Sequence, residues 1–225
     1  MGYYDIHTHQ MPFHKEDIAI INRIVSPMGD MQPGPLLDTV IRSYGIHPWY
    51  IYNNVQGQFL RLESVVLCPS VVAVGEAGLD KLSETPLDIQ SDVFAKQAAL
   101  AERSGKPLII HCVKAWDELI MQRKSMKPRV PWIIHGFRGN GILAQQLLKQ
   151  GFFLSFGEYF NQQALQAAWP DRLFAETDDA AIDIRSVYRK IASSLCISLE
   201  ELTATLEKNV QNVFLLSVNS RNKGY

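Results

Sequence analysis

The sequence predicts an α/β fold, a single (β/α)8 barrel of the TIM type, somewhat degenerate between its second and third strands. Three observations carry this expectation. Apolar, β-branched runs recur at about 3–8, 18–25, 42–47, 71–76, 107–112, 131–136, 152–157 and 172–178. Helix-like segments separate most of them, and strand alternating with helix implies a parallel sheet that eight strands can close. Histidines and carboxylates stand repeatedly at the C-terminal ends of these runs, the face on which such barrels carry their chemistry.

Taken in order, Tyr3-Tyr4-Asp5-Ile6-His7-Thr8-His9 reads as the first strand. Residues 18–25 form the second. Residues 26–41 then carry Pro27, Gly29, Pro33, Gly34 and Pro35, so at most a short helix fits there, around Pro35–Val40. Ser43-Tyr44-Gly45-Ile46 leads to His47, and 53–68 is long enough for several helical turns. Val71-Val72-Ala73-Val74-Gly75 leads to Glu76. In 86–104 the run from Asp88 to Leu100 keeps apolar residues at helical spacing, and Gly105 followed by Pro107 stops it. Pro107-Leu108-Ile109-Ile110-His111 recurs as Pro131-Trp132-Ile133-Ile134-His135, one βα period later. Helices are expected at 114–127, 140–150, 160–169 and 183–195. Two more close the chain at 198–207 and 208–216, the first opened by a Ser198/Glu201 capping box.

The 225 residues suffice for one barrel, and the expected organisation is a single domain over 1–225. Apolar content of 47% and charged content of 20% are globular values. A net charge of −1 excludes a strong global field toward nucleic acid or anionic membrane, though not a local basic rim. The longest near-apolar run, 65–75, is too short to span a bilayer, and no basic segment leads into an apolar stretch at the N-terminus. Three widely spaced cysteines, Cys68, Cys112 and Cys196, fit a reducing compartment, so a cytoplasmic location is expected.

Residues two apart in a strand share a face. His7 and His9 therefore project together. Ile109 pairs with His111, Ile133 with His135, Val74 with Glu76, and Glu176 with Asp178. Cys112 takes the opposite face from His111 and is expected to be a buried structural thiol. His14 lies in a polar stretch away from any strand end. Four histidines (His7, His9, His111 and His135) with Glu76 and Asp178 exceed what one tetrahedral ion needs. They suit two divalent ions bridged by a carboxylate, a site that activates water and stabilises an anionic transition state. Zn²⁺ or Mn²⁺ suits this mixed donor set better than Mg²⁺, which prefers oxygen.

Together these segments resemble the TatD-like metal-dependent hydrolases, a family that includes metal-dependent deoxyribonucleases. The matching pieces are Asp5-Ile6-His7-Thr8-His9, Gly45-Ile46-His47-Pro48, Gly75-Glu76-Ala77-Gly78-Leu79-Asp80, Ile109-Ile110-His111, Ile134-His135-Gly136-Phe137 and Glu176-Thr177-Asp178, in the family's order. The resemblance implies a two-metal barrel in which His7, His9 and Asp178 hold one ion and His111 and His135 the other. It implies that Glu76 bridges them and that His47 faces the substrate. Asp178, with Glu76, is then the expected catalytic carboxylate. The implied activity is phosphodiester hydrolysis of short or single-stranded DNA or of a small phosphodiester.

Some segments depart from the family pattern. Asp179-Ala180 follows Asp178 where Ser-Pro is usual, and Asp183-Ile184-Arg185-Ser186 stands where Arg-Asn-x-Pro usually follows. Two other readings stay open at this level. One is an amidohydrolase-type ester or amide hydrolase, often built around a carbamylated lysine for which no lysine stands at a matching strand end. The other is an inactive barrel kept as a binding scaffold.

Overall fold

A computed structural model describes residues 2–25 and 40–214. The expected short helix around Pro35–Val40 falls almost wholly on 26–39, outside the described residues. Eight strands lie in the order in which they occur in the chain. They are β1 (Tyr4–Thr8), β2 (Ile18–Ile24), β3 (Ile41–Gly45), β4 (Val71–Asp80), β5 (Leu108–Val113), β6 (Trp132–Ile134), β7 (Phe153–Phe156) and β8 (Leu173–Ala175). Every neighbouring pair is parallel.

The last seam, between β8 and β1, is held beyond the end of β8. Asp178 N–H donates to the His7 carbonyl at 2.9 Å, and His9 N–H donates to the Asp178 carbonyl at 3.0 Å. Asp178 reaches this bridge with a φ of 56°, a left-handed conformation that aspartate adopts more readily than most residues. Barrel closure thus places the Asp178 side chain beside His7 of β1 and His9 just past its end.

Helices α1 (Val55–Val66), α2 (Leu87–Ser104), α3 (Trp116–Met126), α4 (Gly141–Lys149), α5 (Gln162–Ala168) and α6 (Ile184–Leu195) fall within the expected segments. Gly105, at φ 68°, ends α2 as its spacing predicts. Ser198 Oγ accepts the Glu201 N–H at 3.1 Å and opens α7. The two expected closing helices are in fact one, α7 (Leu199–Phe214). Its buried stripe of Leu202, Leu206, Val210 and Val213 runs through without a break, so nothing ends the helix near 207.

Two cores follow from the alternation of the strands. Outside the sheet, Ile110, Cys112, Ile134 and Leu154 pack with the helices. Inside it, Tyr4, Ile6, Ile20, Ala73, Ile109, Ile133 and Phe174 form a second cluster, sealed by Val210, Val213 and Phe214 of α7. The inner cluster fills the barrel, so the ligand-type side chains stand above it at the mouth. Among the described residues, no helix is long and apolar enough to cross a membrane.

One expected alternation fails. Ala73 packs in the inner cluster and Val74 in the outer one, so Val74 does not share a face with Glu76. The pairing of β4 with β5 shifts between Val74 and Ala77, where Gly75 has a φ of 139° and the Gly75–Glu76 peptide is cis. Beyond this shift Ala77 and Leu79 pack outside, and Glu76 and Asp80 meet the mouth histidines. Gly78 is required there. A Cβ at that position would lie 1.8 Å from the His111 carbonyl oxygen of β5.

Candidate metal centre

Glu76 is the hub of the barrel mouth. Its Oε1 lies 2.7 Å from His135 Nε2, 2.9 Å from His111 Nδ1 and 3.2 Å from His47 Nε2. Its Oε2 lies 3.5 Å from His7 Nε2, which is also 3.5 Å from Asp178 Oδ1. His9 Nε2 completes that side, 3.7 Å from Asp178 Oδ1. The two oxygens of one carboxylate therefore face two separate groups of histidines. Donor atoms of His7, His9 and Glu76 converge closely enough for an ion, as do those of His7, His135 and Asp178, and those of His47, Glu76 and His111.

All six residues expected as ligands come together, and His47 joins them. His14 does not; its Nε2 meets Asp183 Oδ2 at 3.2 Å, away from the site. In the departing segment after Asp178, Arg185 pairs through Nε and Nη2 with buried Asp17 at 3.0 and 3.1 Å, a structural use of that stretch.

Residues outside the expected ligand set orient the ligands. Asp80 Oδ2 lies 3.1 Å from His111 Nε2 and accepts the indole N–H of Trp49 at 2.7 Å, while Oδ1 accepts the Leu82 N–H at 2.8 Å. Asp80 thus serves as both turn cap and histidine partner. Asp80 and Glu76 thus hold the His111 ring from its two nitrogens, Nε2 and Nδ1. Glu176 stands behind His135, its Oε1 3.5 Å from Nδ1 and held in place by the Gly136 N–H. Asn22 holds Glu76 from behind through its side-chain amide and through the Glu76 N–H. Strand alternation from Glu76 through Gly78 to Asp80 was the available signal for Asp80. Nothing in the sequence marks Asn22.

Burial and charge explain the protonation pattern. Burial pushes the Glu76 carboxyl up, but His135, His111 and His47 outweigh it and hold it well below the usual carboxylate range. Burial pulls the His7 imidazolium down, and the neighbouring His135 adds to that. Asp178 and Glu76 more than reverse both, raising His7 to about 9. Burial also opposes the His135 charge, yet Glu76 and Glu176 lift it well above its ordinary value. His47 goes the other way, lowered chiefly by burial. It is therefore neutral near pH 7. Its Nδ1 accepts the Trp49 backbone N–H at 3.1 Å, so its proton sits on Nε2, toward Glu76 Oε1 at 3.2 Å.

A divalent ion fits this arrangement. His7 is fully buried, and neither of its ring nitrogens has a hydrogen-bond partner. Such a side chain is costly unless something completes it. A cavity of about 280 Å³, lined by His9, Ile24, His47, Trp49, Tyr50, Glu76, His111, His135, Asp178 and Asp179, opens above the donors.

A family model described as TatD related DNase matches residues 36–215. The chain belongs to the TatD related DNase family. It is accordingly a metal-dependent hydrolase. The metal-dependent hydrolase YabD of Bacillus subtilis is 26% identical over 202 residues, 80% of this chain and 79% of that protein. The human 3'-5' RNA nuclease TATDN2 is 30% identical over 171 residues, 71% of this chain but only 22% of the nuclease. The 3'-5' ssDNA/RNA exonuclease TatD of Edwardsiella piscicida is 31% identical over 145 residues, 60% of this chain and 55% of that enzyme. The crystal structure of the TatD homologue YjjV from Escherichia coli superposes with a TM-score of 0.79 at 19% identity, over 96% of this chain and 98% of the other. His7 and His9 lie upstream of the residues matched to the TatD family, and the barrel seam is what attaches them to the rest of the site.

Proposed function

We propose that this chain is a two-metal phosphodiesterase that cleaves short or single-stranded nucleic acid. The observation that carries the reading is Glu76, whose Oε1 faces His135, His111 and His47 and whose Oε2 faces His7, a buried ring with no hydrogen bond at either nitrogen. The names of the human and Edwardsiella relatives, both nucleases, support the substrate class.

His7, His9 and Asp178 would hold one ion, and His111 and His135 the other, with Glu76 between them. Bound divalent ions would supply positive charge to a phosphodiester and lower the pKa of water. The remaining work falls to the chain. Asp178 is partly exposed, and His7 and His135 offset its burial to keep its carboxyl low, so it is ionised and placed to take a proton from attacking water. His47 lines the cavity beside Glu76 as a neutral imidazole, where a phosphate oxygen of the substrate would meet it. Asp80 orients His111, and Glu176 backs His135. No lysine lines the cavity among the described residues, which weighs against a carbamylated-lysine amidohydrolase. The free thiols of Cys68, Cys112 and Cys196 support a reducing, cytoplasmic setting.

Elemental analysis of protein purified without added metal tests the centre first, with up to two ions per chain expected. Turnover is then compared with Mn²⁺, Mg²⁺ or Zn²⁺ on bis-p-nitrophenyl phosphate, a short oligonucleotide, and a panel of carboxylic esters and amides. Phosphodiesters should be the faster substrates. Asp178→Asn should lower their turnover by orders of magnitude while circular dichroism stays unchanged. Faster hydrolysis of an ester or amide would move the chain to the amidohydrolase reading.

A further inference from the structure

Trp49 is 58% exposed, yet its indole is clamped. The ring N–H donates to Asp80 Oδ2 at 2.7 Å, and the backbone N–H donates to His47 Nδ1 at 3.1 Å. The ring meets His47 edge-on at 5.2 Å and His111 at 5.9 Å. Its one polar atom is therefore satisfied by a carboxylate that is itself 1% exposed, while much of its hydrocarbon surface stands in water. A packed loop anchor would bury that surface. A rigid exposed aromatic at a site mouth gains free energy only when something covers it.

The position says what covers it. Trp49 lines the metal cavity on one side and, on the other, a second cavity of about 380 Å³ bounded by Ile51, Leu82, Ser83, Glu84 and Thr85. The second cavity contains no cation and one carboxylate, Glu84, so it does not suit a phosphate. Its apolar wall of Ile51 and Leu82 beside an indole suits a flat, neutral, aromatic group. The phosphate of a nucleotide belongs over the histidines and its base over Trp49.

We infer that Trp49 is the base-stacking platform of the substrate site, taking the unpaired nucleobase next to the scissile phosphodiester. This rests on the phosphodiesterase reading above. A base paired in a duplex cannot reach this face without leaving its stack, so the platform selects single strands. Stacking tolerates all four bases, since each has a π-face. The clamp through Asp80 also ties the platform to His111, so an occupied platform and an ordered metal ligand share one carboxylate.

The test varies both partners. Binding of a labelled, phosphorothioate-linked short single strand is followed by fluorescence anisotropy on the metal-loaded protein, against the same strand lacking the base beside the scissile linkage. Trp49→Ala should weaken binding of the intact strand about tenfold, equivalent to about 1.4 kcal/mol. Removing the base should weaken wild-type binding by a similar factor, and Trp49→Ala should then add little. Trp49→Phe, which keeps a ring and loses the N–H, should retain most of the affinity. Equal weakening of intact and base-lacking strands by Trp49→Ala would overturn the inference, as would unchanged binding or no binding by the wild type. Should Trp49→Ala misfold, the wild-type comparison of the two strands decides. Base-dependent binding without cleavage of any phosphodiester would leave the platform standing and remove the hydrolase reading instead.

Discussion

Asp80 shows how much of the centre depends on residues that would bind no metal. It receives His111, Trp49 and the Leu82 N–H on one buried carboxylate. Histidine ligands depend on such partners for tautomer and ring orientation, and losing one lowers metal affinity or activity about 10–100-fold. Asp80→Asn should produce a loss of that size, read by chelator competition and by turnover of a phosphodiester. Unchanged affinity would mean that His111 needs no orienting partner. Glu176 stands 3.5 Å behind His135, and Asn22 holds Glu76. Asp80 and Glu176 share the spacing of the expected ligands, whereas nothing in the sequence marks Asn22.

At the scale of elements, α2 does more than cover the sheet. Gln90 and Gln97 lie two turns apart on its buried face. Gln97 accepts the Ile46 N–H at 2.7 Å and donates to the Ile46 carbonyl at 2.9 Å. Gln90 does the same with Asp80, at 2.7 and 2.9 Å. Each amide supplies the pairing that a neighbouring strand would otherwise give, at the strand ends that carry His47 and Asp80. Gln97→Leu would leave the Ile46 N–H and carbonyl buried and unpaired, at about 1–3 kcal/mol each. The melting temperature should fall by roughly 2–4 °C per kcal/mol. Asp92→Ala, on the exposed face of the same helix, should change stability by no more than about 0.5 kcal/mol. Equal melting of the two variants would refute the bracing role.

Across the whole molecule, stability and chemistry sit at opposite ends of the barrel. Phe214 of α7 is 4% exposed and meets Phe174 of the inner cluster at 5.8 Å, below the metal centre. Phe214→Ala should cost about 3–5 kcal/mol, read by chemical denaturation. Metal stoichiometry at low temperature should stay unchanged. On the two-metal proposal, Glu76→Gln should do the reverse to function, abolishing metal loading and turnover, because a neutral amide would not offset the charge of two ions. If Phe214→Ala emptied the metal site without destabilising the fold, the division between the two ends would be wrong.

Strand order, parallel topology and the ligand types at the mouth were legible from the sequence alone. Each rests on local signals: β-branched runs, helical spacing, and the rule that strand C-terminal ends carry the chemistry. Even the inward pairing of Ile109 with His111 and of Ile133 with His135 follows from a period of two. Only the tertiary structure decided the rest. The shift at Gly75 reverses the phase of β4, which no uniform alternation anticipates. The left-handed Asp178 closes the seam against His7 and His9, far away in the chain. Asn22 meets Glu76 across 54 residues, and Gln97 meets Ile46 across 51. Local sequence specifies which way a side chain leaves its own backbone; the partner it meets depends on where closure of the barrel brings the other strands.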